Sequence, residues 1–220
     1  MKERQSEKPY STEQMSVWSG GFGKEYTDRN PQTVEEMNQL YQTSFGTTRT
    51  SMNERFIGNL DRTARILEVG SNVGTQLQCL QDMGFKNLYG VELQQYAVEL
   101  SKSRTKSINI IQGSGFDIPF RSEYFDLVFT SGVLIHISPE TIRGMLSEIY
   151  RCSKKLIWGF EYYADAHTTV EYRGKDNLLW KGDFAKMFLD AYPQLKLVQQ
   201  AKFKYLTGEN VDAMYLVSKP

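Results

Sequence analysis

Cysteine and histidine are scarce in this chain. Its 220 residues contain two cysteines, Cys79 and Cys152, and two histidines, His136 and His167. Two cysteines in a chain of this length do not build a disulfide framework, so both are expected as plain buried thiols. No His or Cys stands at metal-ligand spacing, which argues against a zinc site or any other metal. An excess charge is also missing. The 26 Lys and Arg balance 26 Asp and Glu, so the chain lacks the broad basic face of a nucleic-acid binder. No apolar run approaches the roughly 18 residues of a membrane span. The opening "MKERQSEKPYSTEQM" has no apolar stretch of the kind a signal peptide needs. These absences set the expectation of a soluble, cytoplasmic protein with no membrane and no nucleic-acid partner.

Aromatics and ordinary apolar residues are plentiful: 13 Tyr, 12 Phe and 40% hydrophobic residues overall, a globular composition with enough chain for a sizeable core. Residues 1–15 are polar and expected to fray. Residues 18–31, "WSGGFGKEYTDRNP", mix glycines, aromatics and charges without a period, which predicts an ordered loop between short helices. From Val34 to Leu60 the apolar spacing is helical.

A strand–helix alternation then begins. "RILEV" (65–69) predicts a strand, 74–84 a helix stopped by Gly84, 87–93 a strand, 94–104 a helix, and 108–114 a strand. "FDLVFTSGVLIHI" (125–137) begins as a strand too apolar for one-sided exposure. Residues 138–152 predict a helix with Ser138 as N-cap and Pro139 at its first position. Residues 155–162 predict another strand, and 181–192 another helix. The last two strands, 195–206 and 212–219, have no helix between them and predict an antiparallel hairpin. The fold class is therefore α/β: a mainly parallel, seven-stranded, Rossmann-like sheet with helices on both faces and a C-terminal antiparallel hairpin. No linker stands out. The chain is expected to be one compact unit, with 1–60 an N-terminal helical cap and 61–220 the ligand-binding domain.

The glycine turn decides the ligand. After the first strand comes Gly70-Ser71-Asn72-Val73-Gly74, opening a helix. Such a turn lets a ligand approach the backbone at a helix N-terminus. A dinucleotide reader wants a glycine at the position of Asn72 and a third glycine further on. Glu68, just before the turn, would repel a pyrophosphate but suits a ligand that carries positive charge. Glu92, followed by Leu93, ends the second strand, where an ionised carboxylate can accept both ribose hydroxyls. S-adenosylmethionine, with an ammonium, a sulfonium and no phosphate, answers this pattern.

With "GSGFDIPFRSEYFDLVFTSGVLIHI" (113–137) added, the chain resembles the class I S-adenosylmethionine-dependent methyltransferases over roughly residues 60–160. That resemblance implies that Ser114, Gly115 and Phe116 flank the adenine, with Ser114 departing from an aspartate often found there. It implies that Thr130 and Ser131 lie beside the methionine part. It also implies an N-terminal cap over the cofactor, in which Arg29 forks onto the carboxylate and Tyr26 adds a hydroxyl. Outside such a cap, Arg29 is an ordinary surface charge. A narrower resemblance, carried by "WSGGFGKEYTDRN" (18–30), "LEVGSNVG" (67–74) and "YRGKDNLLWKGDF" (172–184), is to bacterial methyltransferases associated with pseudaminic-acid biosynthesis.

Methyl transfer to a hydroxyl usually needs a base. His136, Glu161 and His167 are the residues able to serve. Against that role, a lone histidine in apolar surroundings more often just satisfies a hydrogen bond, here in the turn leading into a helix. The long segment 158–184 follows a strand C-terminus, where substrate sites of open α/β sheets are built. Tyr162, Arg173 and Trp180 there are candidate acceptor contacts, Arg173 suiting a carboxylate or phosphate, against a bland role in packing or surface. Three functions compete: a methyltransferase for a small polar metabolite such as a sugar acid or nucleotide-linked sugar, or for a small molecule of another pathway; a nicotinamide-dependent oxidoreductase, disfavoured by Glu68 and Asn72; and a non-catalytic methyltransferase-like binding subunit.

Overall fold

A computed structural model describes residues 11–220. Of the residues 1–15 expected to fray, 1–10 lie outside the described residues, and 13–15 are instead helical. One seven-stranded sheet organises the chain, in the order β3-β2-β1-β4-β5-β9-β8. Its strands are β1 (Arg65–Val69), β2 (Asn87–Glu92), β3 (Ile108–Gln112), β4 (Phe125–Ser131), β5 (Ser153–Tyr162), β8 (Lys196–Lys204) and β9 (Val211–Ser218). The first five run parallel, and β9 joins β5 antiparallel, with β8 paired to it as a hairpin. This is the mainly parallel Rossmann-like sheet with a C-terminal antiparallel hairpin expected from the alternation.

Residues buried on both faces explain the apolar strands. β4 lies between β1 and β5, and Leu127, Val128 and Phe129 are fully buried. On one face, helices α4 (Arg49–Ile57) and α5 (Thr75–Asp82) place Met52, Phe56, Leu77 and Leu80 against Ile66, Leu88 and Trp158. On the other, α7 (Ile142–Cys152) and α8 (Phe184–Ala191) pack Met145, Leu146, Ile149 and Phe188 against Leu67, Val128 and Ile157. The α7 residues recur at helical spacing, an apolar stripe facing the sheet. Truncating a core leucine such as Leu80 to alanine costs about 2–5 kcal/mol. Helix α6 (Gln95–Arg104) connects β2 to β3. Both cysteines are buried and unbridged.

Several boundaries differ from the expectation. Residues 18–31 are not a loop: all but Gly20, Asn30 and Pro31 belong to α1 (Glu13–Ser19) and α2 (Gly21–Arg29). Glycine lowers helix propensity, but here Gly20 makes the break between the two helices. At Gly23 a Cβ would stand 1.8 Å from the Trp18 carbonyl oxygen, so only glycine permits the two helices to meet so closely. The run 34–60 divides into α3 (Val34–Phe45) and α4 at Gly46, whose φ of 73° is left-handed. Helix α7 starts after Thr141 and not at Ser138, because residues 138–141 close a separate turn onto the Ser138 carbonyl. Strand β5 begins two residues before the expected start, at Ser153. Within 158–184 a small ladder forms from β6 (Thr168–Thr169) and β7 (Trp180–Lys181), which periodicity does not reveal in strands so short. No helix among the described residues is long and apolar enough to cross a membrane.

Candidate functional site: a cleft at the strand C-termini

The strand order reverses between β1 and β4, and the cleft opens at that point, outside the carboxyl ends of the parallel strands. The turn after β1 is held from below. The backbone N–H groups of Gly70 and Ser71 donate to the Val91 carbonyl at 2.7 and 3.2 Å. Gly70 and Gly74 take φ of 78° and 85°, and Asn72 takes 48°, the left-handed region that Asn tolerates better than most residues. A Cβ on Gly70 would lie 2.6 Å from a methyl of Val133, and one on Gly115 2.4 Å from Met145 Cε. These glycines keep the cleft floor open to a ligand.

The acids at the two strand ends differ. Glu92 is fastened: Oε2 accepts from the Asn72 backbone N–H at 2.8 Å, and Oε1 from the Gln94 N–H at 2.7 Å. Each carboxylate oxygen accepts a second bond, so the group still has capacity for hydroxyls. Burial pushes it above the usual carboxylate range against the pull of those N–H groups. Glu68 is 3% exposed, and its Oε2 has no hydrogen-bond partner. Burial holds its proton well above the ordinary range; the Arg49 guanidinium opposes this and Glu92 adds to it. Ser71 Oγ and Asn72 Oδ1 are likewise buried and unpartnered. These waiting acceptors fit a ligand that brings hydroxyl and ammonium donors and no phosphate, as S-adenosylmethionine does.

The N-terminal helices form the roof. Gln94 Nε2 donates to the carbonyls of Trp18 and Gly20 at 3.2 and 2.8 Å, and Thr75 Oγ1 to that of Pro31 at 3.2 Å. On the opposite bank, Gln14 Nε2 donates to the Asn177 carbonyl at 3.1 Å. The Trp18 ring lies 4.4 Å from the His136 ring. Arg29 stands over the Tyr26 ring at 5.5 Å, and no carboxylate among the described residues pairs with it.

Most of the residues singled out in the sequence meet here. Tyr26, Arg29, Glu68, Gly70, Ser71, Asn72, Glu92, Leu93, Ser114, Gly115, Phe116, Ser131, His136, Glu161, Tyr162 and Arg173 all line one cavity of about 720 Å³. Four do not. Thr130 precedes Ser131 on β4, and successive strand residues face opposite ways. Gly74 lies behind the turn, where a Cβ would meet Ile110 at 2.6 Å. His167 packs beside Gly182 and Phe184, and Trp180 is buried opposite Thr169 in the small ladder. Ser114 turns its hydroxyl to the Phe116 N–H at 3.1 Å, closing its own turn.

The two remaining acid–base candidates have different surroundings. Glu161 accepts from the backbone N–H groups of Val133 and Ile135 at 3.2 and 3.4 Å, and burial pushes it up to about 7. It thereby holds the loop after β4. His136 Nδ1 lies 2.7 Å from the Leu178 carbonyl, which can only accept, so the proton sits on Nδ1 and the lone pair on Nε2. Burial lowers this imidazole to about 4 and keeps it neutral at pH 7.

Sequence reasoning missed the far lobe of the cavity: Tyr41, Tyr205 and Asp212. They come from α3, the turn after β8 and the start of β9, and no spacing signals their meeting. It also missed Arg49, which is wholly buried and donates to Tyr41 Oη at 2.8 Å and Asn53 Oδ1 at 3.1 Å, fixing Tyr41 in the wall.

Comparison with known proteins agrees with this geometry. Residues 67–156 match the family model described as a methyltransferase domain. The structure resembles the Burkholderia thailandensis 1,6-didemethyltoxoflavin-N1-methyltransferase, solved with 1,6-didemethyltoxoflavin and S-adenosylhomocysteine, at a TM-score of 0.70 and 13% identity over 97% of this chain and 92% of that one. It resembles a Leishmania major S-adenosylmethionine-dependent methyltransferase at a TM-score of 0.70 and 17% identity, over 94% and 87% of the two chains. It also resembles the [4+2]-cyclase SpnF, at a TM-score of 0.62 and 12% identity over 86% and 96%. No curated protein sequence matches. Residues 67–156 thus carry a methyltransferase domain, set on the Rossmann-like fold that solved S-adenosylmethionine-dependent methyltransferases share.

Proposed function

We propose that this enzyme methylates a small polar metabolite enclosed in the cleft, a nonulosonic acid or a nucleotide-linked sugar of a surface-glycan pathway. The observation that carries the reading is the roof. Helices α1 and α2 are fastened to both banks, through Gln94 on one side and Asn177 on the other. The cavity beneath, about 720 Å³, has the size of a small-molecule site. The balanced charge leaves no large electrostatic term for nucleic acid. The sugar class rests on the narrower resemblance in 18–30, 67–74 and 172–184, and on Arg173 at the exposed rim beside Tyr172, a pair able to hold an acid and stack on a ring.

In this reading residues 1–60 are the lid and 61–220 the catalytic domain. Bound S-adenosylmethionine supplies a methyl group already activated on a sulfonium. Glu92 with Leu93 would hold the ribose, and Ser114, Gly115 and Phe116 would flank the adenine. Glu68, Asn72, Ser131, Tyr26 and Arg29 would take the amino-acid end, with Arg29 pairing its carboxylate. The chain's own work is to align the acceptor and exclude water. His136 Nε2 takes the proton of an acceptor hydroxyl, and Glu161 acts indirectly by fixing the loop that carries His136.

Incubation with S-adenosylmethionine and pools of sugar acids, nucleotide sugars, nucleic acid and protein, read by mass spectrometry, tests this. A methylated small sugar is the expected product. Saturable methylation of nucleic acid or protein, with no small metabolite modified, overturns the reading.

A further inference from the structure

The far lobe of the cavity holds a carboxylate that nothing in the protein completes. Asp212 opens β9 directly opposite Tyr162 of β5. It is 3% exposed and lines the cavity. Oδ2 accepts from Tyr205 Oη at 3.3 Å, and Oδ1 has no partner at all. The neighbouring cations do not pair with it. Lys181 Nζ bonds to Asn210 Oδ1 at 2.5 Å, and the Arg49 guanidinium lies over the Phe160 ring at 4.6 Å, bonded to Tyr41 and Asn53, with its Nη2 buried and unpartnered. No ion pair among the described residues reaches Asp212.

The walls point to the complement. Tyr41, Tyr162 and Tyr205 line the same lobe, with the Tyr162 and Tyr205 rings 6.3 Å apart. Aromatic faces attract a cation, and an ionised carboxylate is acceptor-only. Glu161, on the strand beside it, adds negative potential, and burial with that neighbour pushes Asp212 up to about 7 against the weaker pull of Tyr205, Arg49 and Lys181. A second acid or a neutral hydroxyl leaves this imbalance in place, whereas an ammonium removes it. A metal is a poor fit, since no group of three potential ligands among the described residues could hold one.

We propose that Asp212, with Tyr41, Tyr162 and Tyr205, anchors a protonated amine on the acceptor. This rests on the small-molecule reading above and narrows it to amine-bearing acceptors. An ammonium has no lone pair, so the anchored group is a handle and the methyl goes to another atom of the same molecule. With Arg173 at the rim, the cleft matches a molecule basic at one end and acidic at the other.

The test uses the full chain saturated with S-adenosylhomocysteine. Glucosamine, N-acetylglucosamine, glucose and glucuronic acid are titrated by ligand-observed NMR. Glucosamine is expected to bind at least tenfold tighter than its N-acetyl form, and Asp212→Asn to bring the two within about twofold while S-adenosylhomocysteine affinity is kept. Should Asp212→Asn not fold, Tyr162→Leu is expected to shrink the same preference. Equal or tighter binding of the N-acetyl form or of glucuronic acid, no binding of any probe, or a preference untouched by these variants overturns the proposal. Methylation of an amine-free small metabolite, unaffected by Asp212→Asn, overturns it while leaving the small-molecule reading intact. Exclusive methylation of a macromolecule brings down that reading itself.

Discussion

Glu92 and Asn72 are joined by a 2.8 Å hydrogen bond, from the Asn72 backbone N–H to Glu92 Oε2. The acid at the end of β2 therefore shapes the turn after β1, and does so before any ligand arrives. The strained φ of Asn72, 48°, is held by the bond that also orients the carboxylate toward the cleft.

Glu92→Ala is expected to weaken S-adenosylhomocysteine binding in two ways, by removing the ribose acceptor and by loosening the turn. Losing hydrogen bonds to a charged group costs about 1.5–3 kcal/mol, roughly tenfold to a hundredfold in affinity. Calorimetry measures this, and an unchanged affinity removes Glu92 from the site.

Gly70→Ala should be harsher than its size implies. The backbone at φ 78° disfavours any Cβ by about 1–2 kcal/mol, and the added carbon meets Val133 at 2.6 Å. Denaturant unfolding should show lower stability and calorimetry weaker cofactor binding. Wild-type values for both would mean that the turn has another conformation.

The roof gives a prediction about dynamics. Hydrogen exchange of residues 13–29 should slow when S-adenosylhomocysteine binds, because Arg29 and Tyr26 would gain a partner under it. Trp18→Ala, which removes the contact with His136, should reduce that protection. Identical exchange with and without ligand would show that α1 and α2 do not respond to the cofactor.

Kinetics should separate rim from floor. Arg173→Ala is expected to raise KM for an anionic acceptor about tenfold or more with kcat and cofactor affinity nearly kept, as loss of uniform binding does. His136→Gln should instead lower kcat, by about a hundredfold or more if Nε2 takes a hydroxyl proton. A KM effect alone in His136→Gln would assign it to packing.

The raised carboxyl of Asp212 sets a pH dependence with a definite sign. Between its ordinary value of 3.8 and about 7, the native state binds more protons at this group than the unfolded state does. Its contribution to stability is greatest at the low end, falls as pH rises through that window and is flat above it. Asp212→Asn should therefore gain stability relative to wild type from about pH 4 to pH 7 and level off beyond. His136, lowered to about 4, acts oppositely: its stabilising share is present above 6.5 and lost as pH falls toward 4. Urea denaturation of the ligand-free protein at a series of pH values reads both, and parallel wild-type and Asp212→Asn curves would contradict the burial argument.

Local pattern was enough for the frame. The apolar runs read at 65–69, 87–93 and 125–137, each followed by a helical spacing, made a parallel sheet legible, because a strand buried on both faces has no polar alternation. The glycine turn and the acids Glu68 and Glu92 were legible because a tight left-handed turn after a strand imposes residue types at fixed short spacings. The α1–α2 pair was not legible. Its glycines speak against helix locally, and only the docking of Trp18 and Gly20 carbonyls on Gln94, more than seventy positions away, overrules them.

The sequence by itself determined the strand order's raw material, the glycine turn after β1 and the acids at the ends of β1 and β2, since each depends on neighbours within a few residues. The tertiary structure alone decided which candidates share a cavity. It turned His167 and Trp180 away, left Nε2 of His136 with the lone pair by engaging Nδ1 with the Leu178 carbonyl, and brought Tyr41, Tyr205 and Asp212 together from distant elements. A carboxylate oxygen without a partner can be recognised only once everything around it is in place, because burial and the absence of a hydrogen bond are properties of the packed chain and of no segment within it.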